Sequence, residues 1–189
     1  MRTDRLQLEF QQFSIVLEDD RNYSVNSADN TRSYNQQLLL TDGSHHFSSK
    51  HSLSVFKDNK LVNSCIMLAE GGASAVHPHS AIIHDESCFV AVGSMICCVK
   101  LPSLDLVWKT EVDSATCFGV YHSDKHSCFI SHGECDIVRL CYDGKIIWSQ
   151  GGKDIFSEGF SVSDDFVTAT DFNGEKYRFE ITTGQGGIF

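Results

Sequence analysis

The side chains best suited to chemistry in this 189-residue chain are its nine histidines and eight cysteines, and their spacing decides what chemistry they could do. His77-Pro78-His79 with His84 is the foremost cluster, followed by His122, His126 and His132. Imidazoles two residues apart on a strand share a face and could ligate zinc, with a nearby thiolate as third ligand. His77, His79 and His84 are therefore the candidate metal ligands, and a metal-dependent hydrolase or lyase using them is the enzymatic alternative. None of them falls in a CxxC or HxxxH frame, so turn and surface roles are the simpler expectation and no cofactor is implied. His45-His46, beside Asp42-Gly43, reads as strand surface.

Cys97 and Cys98 are adjacent on a strand, so their side chains face opposite sides and do not pair with each other. Most of the cysteines (65, 88, 97, 98, 117, 128, 135 and 141) sit in apolar runs, where a free thiol packs as a small hydrophobe. No GxSxG elbow is present, and no Ser, His and Asp stand in a recognisable order. Asp113, Glu134 and Asp154 could supply paired carboxylates but read as solvated turn residues. Gly151-Gly152 and Gly184–Gly187 lack a phosphate-loop frame and read as connections between strands.

The elements that must position these residues repeat. Trp108 and Trp148 are 40 residues apart, as are Cys88-Phe89 and Cys128-Phe129, and Gly93 and Gly133. Self-similarity near 40 residues with four short strands per unit predicts stacked β-blades. The units expected are 79–111, 117–150 and 160–189, with a divergent copy at 13–49 and an insertion at 50–76 that reads as an extra hairpin around Asp58-Asn59 or a collapsed fifth unit. Asp143-Gly144 between apolar runs predicts a tight hairpin, because that turn needs positive φ at its glycine. Thr183-Gly184 stands in the same place one unit later, and Phe47 is placed at the position of the two tryptophans. Runs such as Cys88–Val92 are apolar at consecutive positions, which predicts sheets covered on both faces. Asp19–Gln37, rich in Asn, Asp and Ser, reads as a mobile loop.

The strand pairs at Cys88–Leu101 and Phe166–Glu180, each followed by a turn and, in Asp143–Trp148, a short strand ending in Trp, resemble β-propeller repeats. Within that class they are most similar to the pyrroloquinoline-quinone-type and WD-like blades. The resemblance implies an all-β fold of about four antiparallel blades, a small or incomplete propeller or a half-ring completed by dimerisation. It also implies that Trp108 and Trp148 pack between neighbouring blades. An open arc is expected to leave apolar blade faces bare, which favours closure or a homodimer.

Composition narrows the function. The net charge is −10, with 15 basic residues scattered among 25 acidic ones, which argues against a nucleic-acid face and for a protein partner, plausibly basic. The N-terminal segment carries Arg2, Asp4, Arg5 and Glu9 and no long apolar run, so neither a signal nor a membrane span is expected and a cytoplasmic location is the default. The leading expectation is a non-catalytic protein-binding scaffold, for example an immunity-type inhibitor of a protein partner.

Overall fold

The computed structural model describes residues 5–42 and 46–189; the charges at Arg2 and Asp4, and Gly43 and His45 of the Asp42–His46 segment, lie outside the described residues. Among the described residues there is no helix, and the strands form four sheets in chain order. The first contains β1 (Arg5–Phe10), β2 (Phe13–Asp19), β4 (Ser49–Lys57) and β5 (Lys60–Ala69), with the short β3 (Gln36–Leu39) added parallel to β5. The second is β6 (Ala81–His84), β7 (Ser87–Val92), β8 (Met95–Lys100) and β9 (Leu106–Glu111). The third is β10 (Cys117–Ser123), β11 (Cys128–Gly133), β12 (Asp136–Leu140) and β13 (Ile146–Gly151). The fourth is β14 (Gly159–Val162), β15 (Phe166–Thr170), β16 (Lys176–Glu180) and β17 (Gly186–Ile188). Apart from β3, each sheet is an antiparallel meander in which hairpins join consecutive strands, the link from β2 to β4 alone being long.

The first unit differs from the expected boundaries. Ser49–Lys57 and Lys60–Ala69, read as an insertion, are the third and fourth strands of sheet 1, and Asp58-Asn59 is their tight turn, with φ of 51° and 60°. The segment inserted into this unit is instead 20–48. Phe13–Asp19 has the apolar pattern of a first strand, but β1 precedes it and pairs along its whole length. A match of local patterns slipped by one strand.

The same segment corrects the mobile-loop expectation. Tyr23, Val25, Tyr34 and Phe47 pack on Ile66 and Leu68 of β5, the Tyr34 hydroxyl donates to Asp20 at 2.6 Å, and Arg32 pairs with Glu18 at 2.8 Å. Phe47 is therefore a buried cap residue and does not occupy the tryptophan position.

Burial follows the position of each sheet in the series. One core cluster joins sheets 1 and 2, a second joins 2 and 3, and a third joins 3 and 4. In sheet 2, Val90, Ala91 and Val92 and then Ile96, Cys97, Cys98 and Val99 are all buried, as required of strands covered on both sides. Sheet 4 alternates, and sheet 1 does so only in part, since Cys65–Ala69 of β5 are buried at consecutive positions, with Tyr23, Tyr34 and Phe47 packed over Ile66 and Leu68. In sheet 1, Ile15, Leu17, Leu53 and Val55 face the core while Ser54 and Ser64 share the other face beside Val16. In sheet 4, Val167, Ala169, Tyr177 and Phe179 face inward, and Ser161, Thr168 and Arg178 line up across the outward face. The Arg178 guanidinium lies 5.0 Å from the rings of both Phe166 and Phe189. Among the described residues both outward faces are thus largely polar or capped, although Phe166 and Phe189 on sheet 4 stay 40% and 61% exposed. No hydrogen bond, ion pair or core cluster joins sheet 4 to sheet 1 among the described residues.

Candidate functional site

In a meander of four strands, the turn between the second and third strands and the connection leaving the fourth lie at the same end. Backbone hydrogen bonds knit this end together from sheet to sheet: Gly72 to Ala115 at 2.7 Å, Cys117 to Gly93 at 2.7 Å, Glu134 to Thr116 at 2.7 Å and Phe156 to Glu134 at 2.7 Å. Two recesses open there. One of about 430 Å³ is lined by Asp42, Glu70, Ser94, Lys109, Glu111 and Ser114 among others. The other, about 310 Å³, is lined by Glu111, Asp113, Ser114, Asp136 and Ser149 with apolar Val138 and Ile146. They share Glu111 and Ser114, so they form one acidic groove across sheets 1 to 3. Its one lining lysine, Lys109, is engaged by the Leu39 carbonyl at 3.1 Å and by Asp42 at 3.5 Å.

Asp113 is the structural base of this groove. It is buried, and its carboxylate accepts the N–H groups of Ala115 at 2.6 Å and of Cys135 and Asp136 at 2.8 Å each. Burial pushes its pKa up, against the pull of those three donors. Gly133 is glycine because a Cβ there would stand 2.1 Å from the Asp113 carboxylate. Asp113 therefore ties the turn after β11 to the connection after β9. Glu134 lies in the β11–β12 turn and Asp154 on the connection after β13.

Of the three candidate ligands, His77 and His79 are neighbours, with ring centroids 6.2 Å apart, and His84 lies elsewhere. The His77 Nε2–H donates to the Phe118 carbonyl, and its Nδ1 accepts the His79 N–H at 3.2 Å, so both ring nitrogens are occupied. Burial, with the neighbouring His79 and His51, holds His77 below its usual pKa despite the Phe118 bond. The His79 ring stacks on Tyr121, with centroids 4.5 Å apart. His84 packs instead against His122 at 4.3 Å and Tyr142 at 4.7 Å. His126 bonds the Asp164 carbonyl at 2.8 Å, and His132 lies flat on Phe160 at 4.2 Å. No three His, Cys, Asp or Glu side chains are grouped to hold a metal among the described residues. The cysteines are all unpaired, and burial pushes Cys65 and Cys117 up to about 12, the behaviour of inert core thiols.

The structure does assemble one constellation that the sequence hid. His51 Nε2 lies 2.9 Å from Ser74 Oγ, and its Nδ1 lies 3.5 Å from Asp19. The order is that of a nucleophile, a base and a carboxylate, but the serine is not available to a substrate. Ser74 Oγ also accepts the Gly93 N–H at 3.0 Å and contacts Ser49 Oγ at 3.0 Å, and His51 has no exposed surface. The chain clamps β2, β4 and the connection after β5 to the β7–β8 turn. Burial would raise the Asp19 pKa, but the neighbouring His51 and Arg21 hold it below the usual range. Because the 20–48 segment separates Asp19 from His51, and β5 separates His51 from Ser74, no local motif could have shown it.

The tryptophans join neighbouring sheets at the opposite end. Trp108 Nε1–H donates to the Tyr142 carbonyl at 3.0 Å, and its ring faces Gly144 (φ 82°), where a Cβ would meet it at 2.6 Å. Trp148 does the same one sheet later, donating to the Ile181 carbonyl at 2.8 Å and facing Gly184 (φ 72°). Both tryptophans stand opposite the residue just before a register shift, Cys98 and Arg139 respectively. In sheet 1 the residue at that shift is Asn63, opposite Val55, and its Nδ2 donates to the Ser103 carbonyl at 2.6 Å. Asn63 is thus the true counterpart of the tryptophans.

No protein-family model matches the chain, and no curated protein matches it. Solved structures do. The AfRom2 CNH domain aligns over 98% of this chain and 53% of its own, at 10% identity and TM-score 0.56. BamB from Moraxella catarrhalis, a β-propeller, aligns over 98% of this chain and 66% of its own, at 14% identity and TM-score 0.53. The four sheets are propeller-like blades. A computationally designed protein, Ika8, aligns over 95% of this chain and 59% of its own, at 10% identity and TM-score 0.54. The chain spans between 53% and 66% of the length of these structures. At such identities the likeness concerns the path of the blades alone. No helix among the described residues is long and apolar enough to cross a membrane.

Proposed function

We propose that this chain is a non-catalytic protein-binding scaffold whose acidic groove takes a basic segment of a protein partner. The observation that carries this reading is the continuity of the groove: Glu70, Glu111 and Asp136 line recesses that run across three blades, and the lysine at the rim is already engaged. A groove of one charge sign speeds encounter with an oppositely charged partner and discriminates against wrong ones. The connections forming its walls are held by backbone hydrogen bonds between blades, so binding need not order them first. The blades keep their resemblance to pyrroloquinoline-quinone-type and WD-like repeats, and a cytoplasmic location accompanies this reading.

Affinity capture from cell extract with the wild type and a Glu70→Lys/Glu111→Lys variant tests the proposal. The expected result is one predominant basic protein, released as salt is raised to roughly 0.5 M, where the Debye length falls to a few ångström, and not captured by the charge-reversed variant. Undiminished capture by that variant, or capture of an acidic partner, overturns it.

A further inference from the structure

A different recess opens at the opposite end of the blades, between the second and third. Its volume is about 400 Å³, and Phe89, Trp108, Tyr142 and His84 wall it, with Asp85 and Asp143 also on its lining. Neither lysine nor arginine lines it among the described residues. Aromatic faces carry the negative part of the ring quadrupole and attract cations, most strongly where water is displaced.

The walls are fixed before any ligand arrives. The Trp108 indole N–H is held by the Tyr142 carbonyl at 3.0 Å, while the Tyr142 hydroxyl is bonded to His122 Nε2 at 2.8 Å. Phe89 lies 5.8 Å from Trp108, and His84 lies 4.7 Å from Tyr142, centroid to centroid. Rings pinned at both edges lose little freedom when a ligand enters.

The carboxylates narrow the choice of cation. Asp143 already accepts from Cys141 Sγ at 2.6 Å and pairs with Lys145 at 2.7 Å, which holds its pKa down at about 2. Its charge remains, but its oxygens are engaged, while Asp85, 86% exposed with His84 Nε2 3.5 Å away, stands in solvent at the edge. A guanidinium or primary ammonium must place several N–H donors on acceptors, whereas a quaternary ammonium has none to place.

We propose that this recess binds a quaternary ammonium group, carried either by a small molecule such as choline or by a trimethylated lysine. This goes beyond the acidic groove and does not depend on it. The test is a fluorescence titration of the full chain in a Trp148→Phe background, where Trp108 is the remaining indole. Choline chloride is compared with its neutral carbon isostere, 3,3-dimethylbutan-1-ol, at matched ionic strength. Saturable quenching by choline, at least tenfold weaker for the alcohol and at least fivefold weaker in Tyr142→Leu, is expected. Tyr142→Leu keeps the main-chain carbonyl that holds Trp108. If the Trp148→Phe protein does not fold, line broadening of the choline methyl resonance with the wild type and Tyr142→Leu gives the same readout. A trimethyl-lysine peptide binding at least tenfold tighter than choline assigns the group to a protein; comparable binding assigns it to a small molecule. Equal binding of the alcohol, no saturable binding of choline or the peptide, or an unchanged response in Tyr142→Leu overturns the proposal.

Discussion

The ring of Trp108 lies against Gly144 of the next blade so closely that a Cβ at that glycine would meet it at 2.6 Å. The contact recurs between Trp148 and Gly184, where a Cβ would meet the ring at 2.8 Å. Gly174 has nearly the same backbone, with φ of 83°, but nothing lies near its missing side chain. Gly174→Ala therefore bears only the positive-φ cost, about 1 kcal/mol. Gly144→Ala and Gly184→Ala must also push an indole out of its place, adding an overpacking cost of about 1–3 kcal/mol. Denaturation midpoints of the three variants are expected to separate accordingly, and equal losses would show that the indoles yield freely.

Asn63 makes the corresponding link between the first two blades with an amide in place of an indole. Its Nδ2 donates to the Ser103 carbonyl at 2.6 Å, and its own side-chain oxygen accepts the Ser64 N–H at 2.9 Å. Asn63→Leu removes both bonds and is expected to cost about 1–3 kcal/mol, near the sum of two ordinary hydrogen bonds. Lys60→Leu, at an exposed site on the same strand, serves as the control and should shift thermal unfolding far less.

These two links show what a linear reading could and could not reach. Trp108 and Trp148 are legible because the same rare residue recurs at one spacing, and Gly144 because an Asp-Gly turn has a backbone requirement. Asn63 is illegible: its role is set by a register shift and a carbonyl 40 residues away. The first blade is harder to read for a related reason. The outer side of its β5 is covered by residues from 20–48 rather than by another blade, and that segment breaks the period. The acidic groove leaves no motif either, since Glu70, Glu111 and Asp136 come together only through the stacking of three blades. Net charge carries an expectation about the sign of a partner but locates no surface.

His132 predicts an acid-sensitive step. Burial, with smaller contributions from His77 and His79, pulls its pKa down to about 4, although a bond to the Phe156 carbonyl at 3.1 Å works the other way. The unfolded chain binds this proton near pH 6.5, so it takes up protons first as pH falls. Stability contributed by neutral His132 is complete above about pH 6.5 and is lost progressively down to about 4, on the order of 3 kcal/mol in all. Denaturant titrations at pH 7, 5.5 and 4.5 should show a steeper loss for the wild type than for His132→Phe, which keeps the stacking on Phe160. Parallel slopes would place the titration elsewhere.

Asp113 and Glu111 lie two residues apart on the groove and should separate stability from binding. The Asp113 oxygens are filled by three backbone N–H groups, so an amide in its place must turn its own donor toward at least one of them. Asp113→Asn is expected to cost about 2–3 kcal/mol through the unsatisfied donors. Glu111 is exposed at the end of β9, and Glu111→Gln should leave the denaturation midpoint within about 0.5 kcal/mol of wild type. If the groove takes a basic segment, the order reverses in binding measured below the unfolding range: Glu111→Gln weakens capture of the basic partner, and Asp113→Asn, whose charge is buried and internally satisfied, weakens it less. A larger binding loss in Asp113→Asn than in Glu111→Gln, with both proteins folded, would mean that the shape of the turn after β11, and not the charge at the rim, holds the partner.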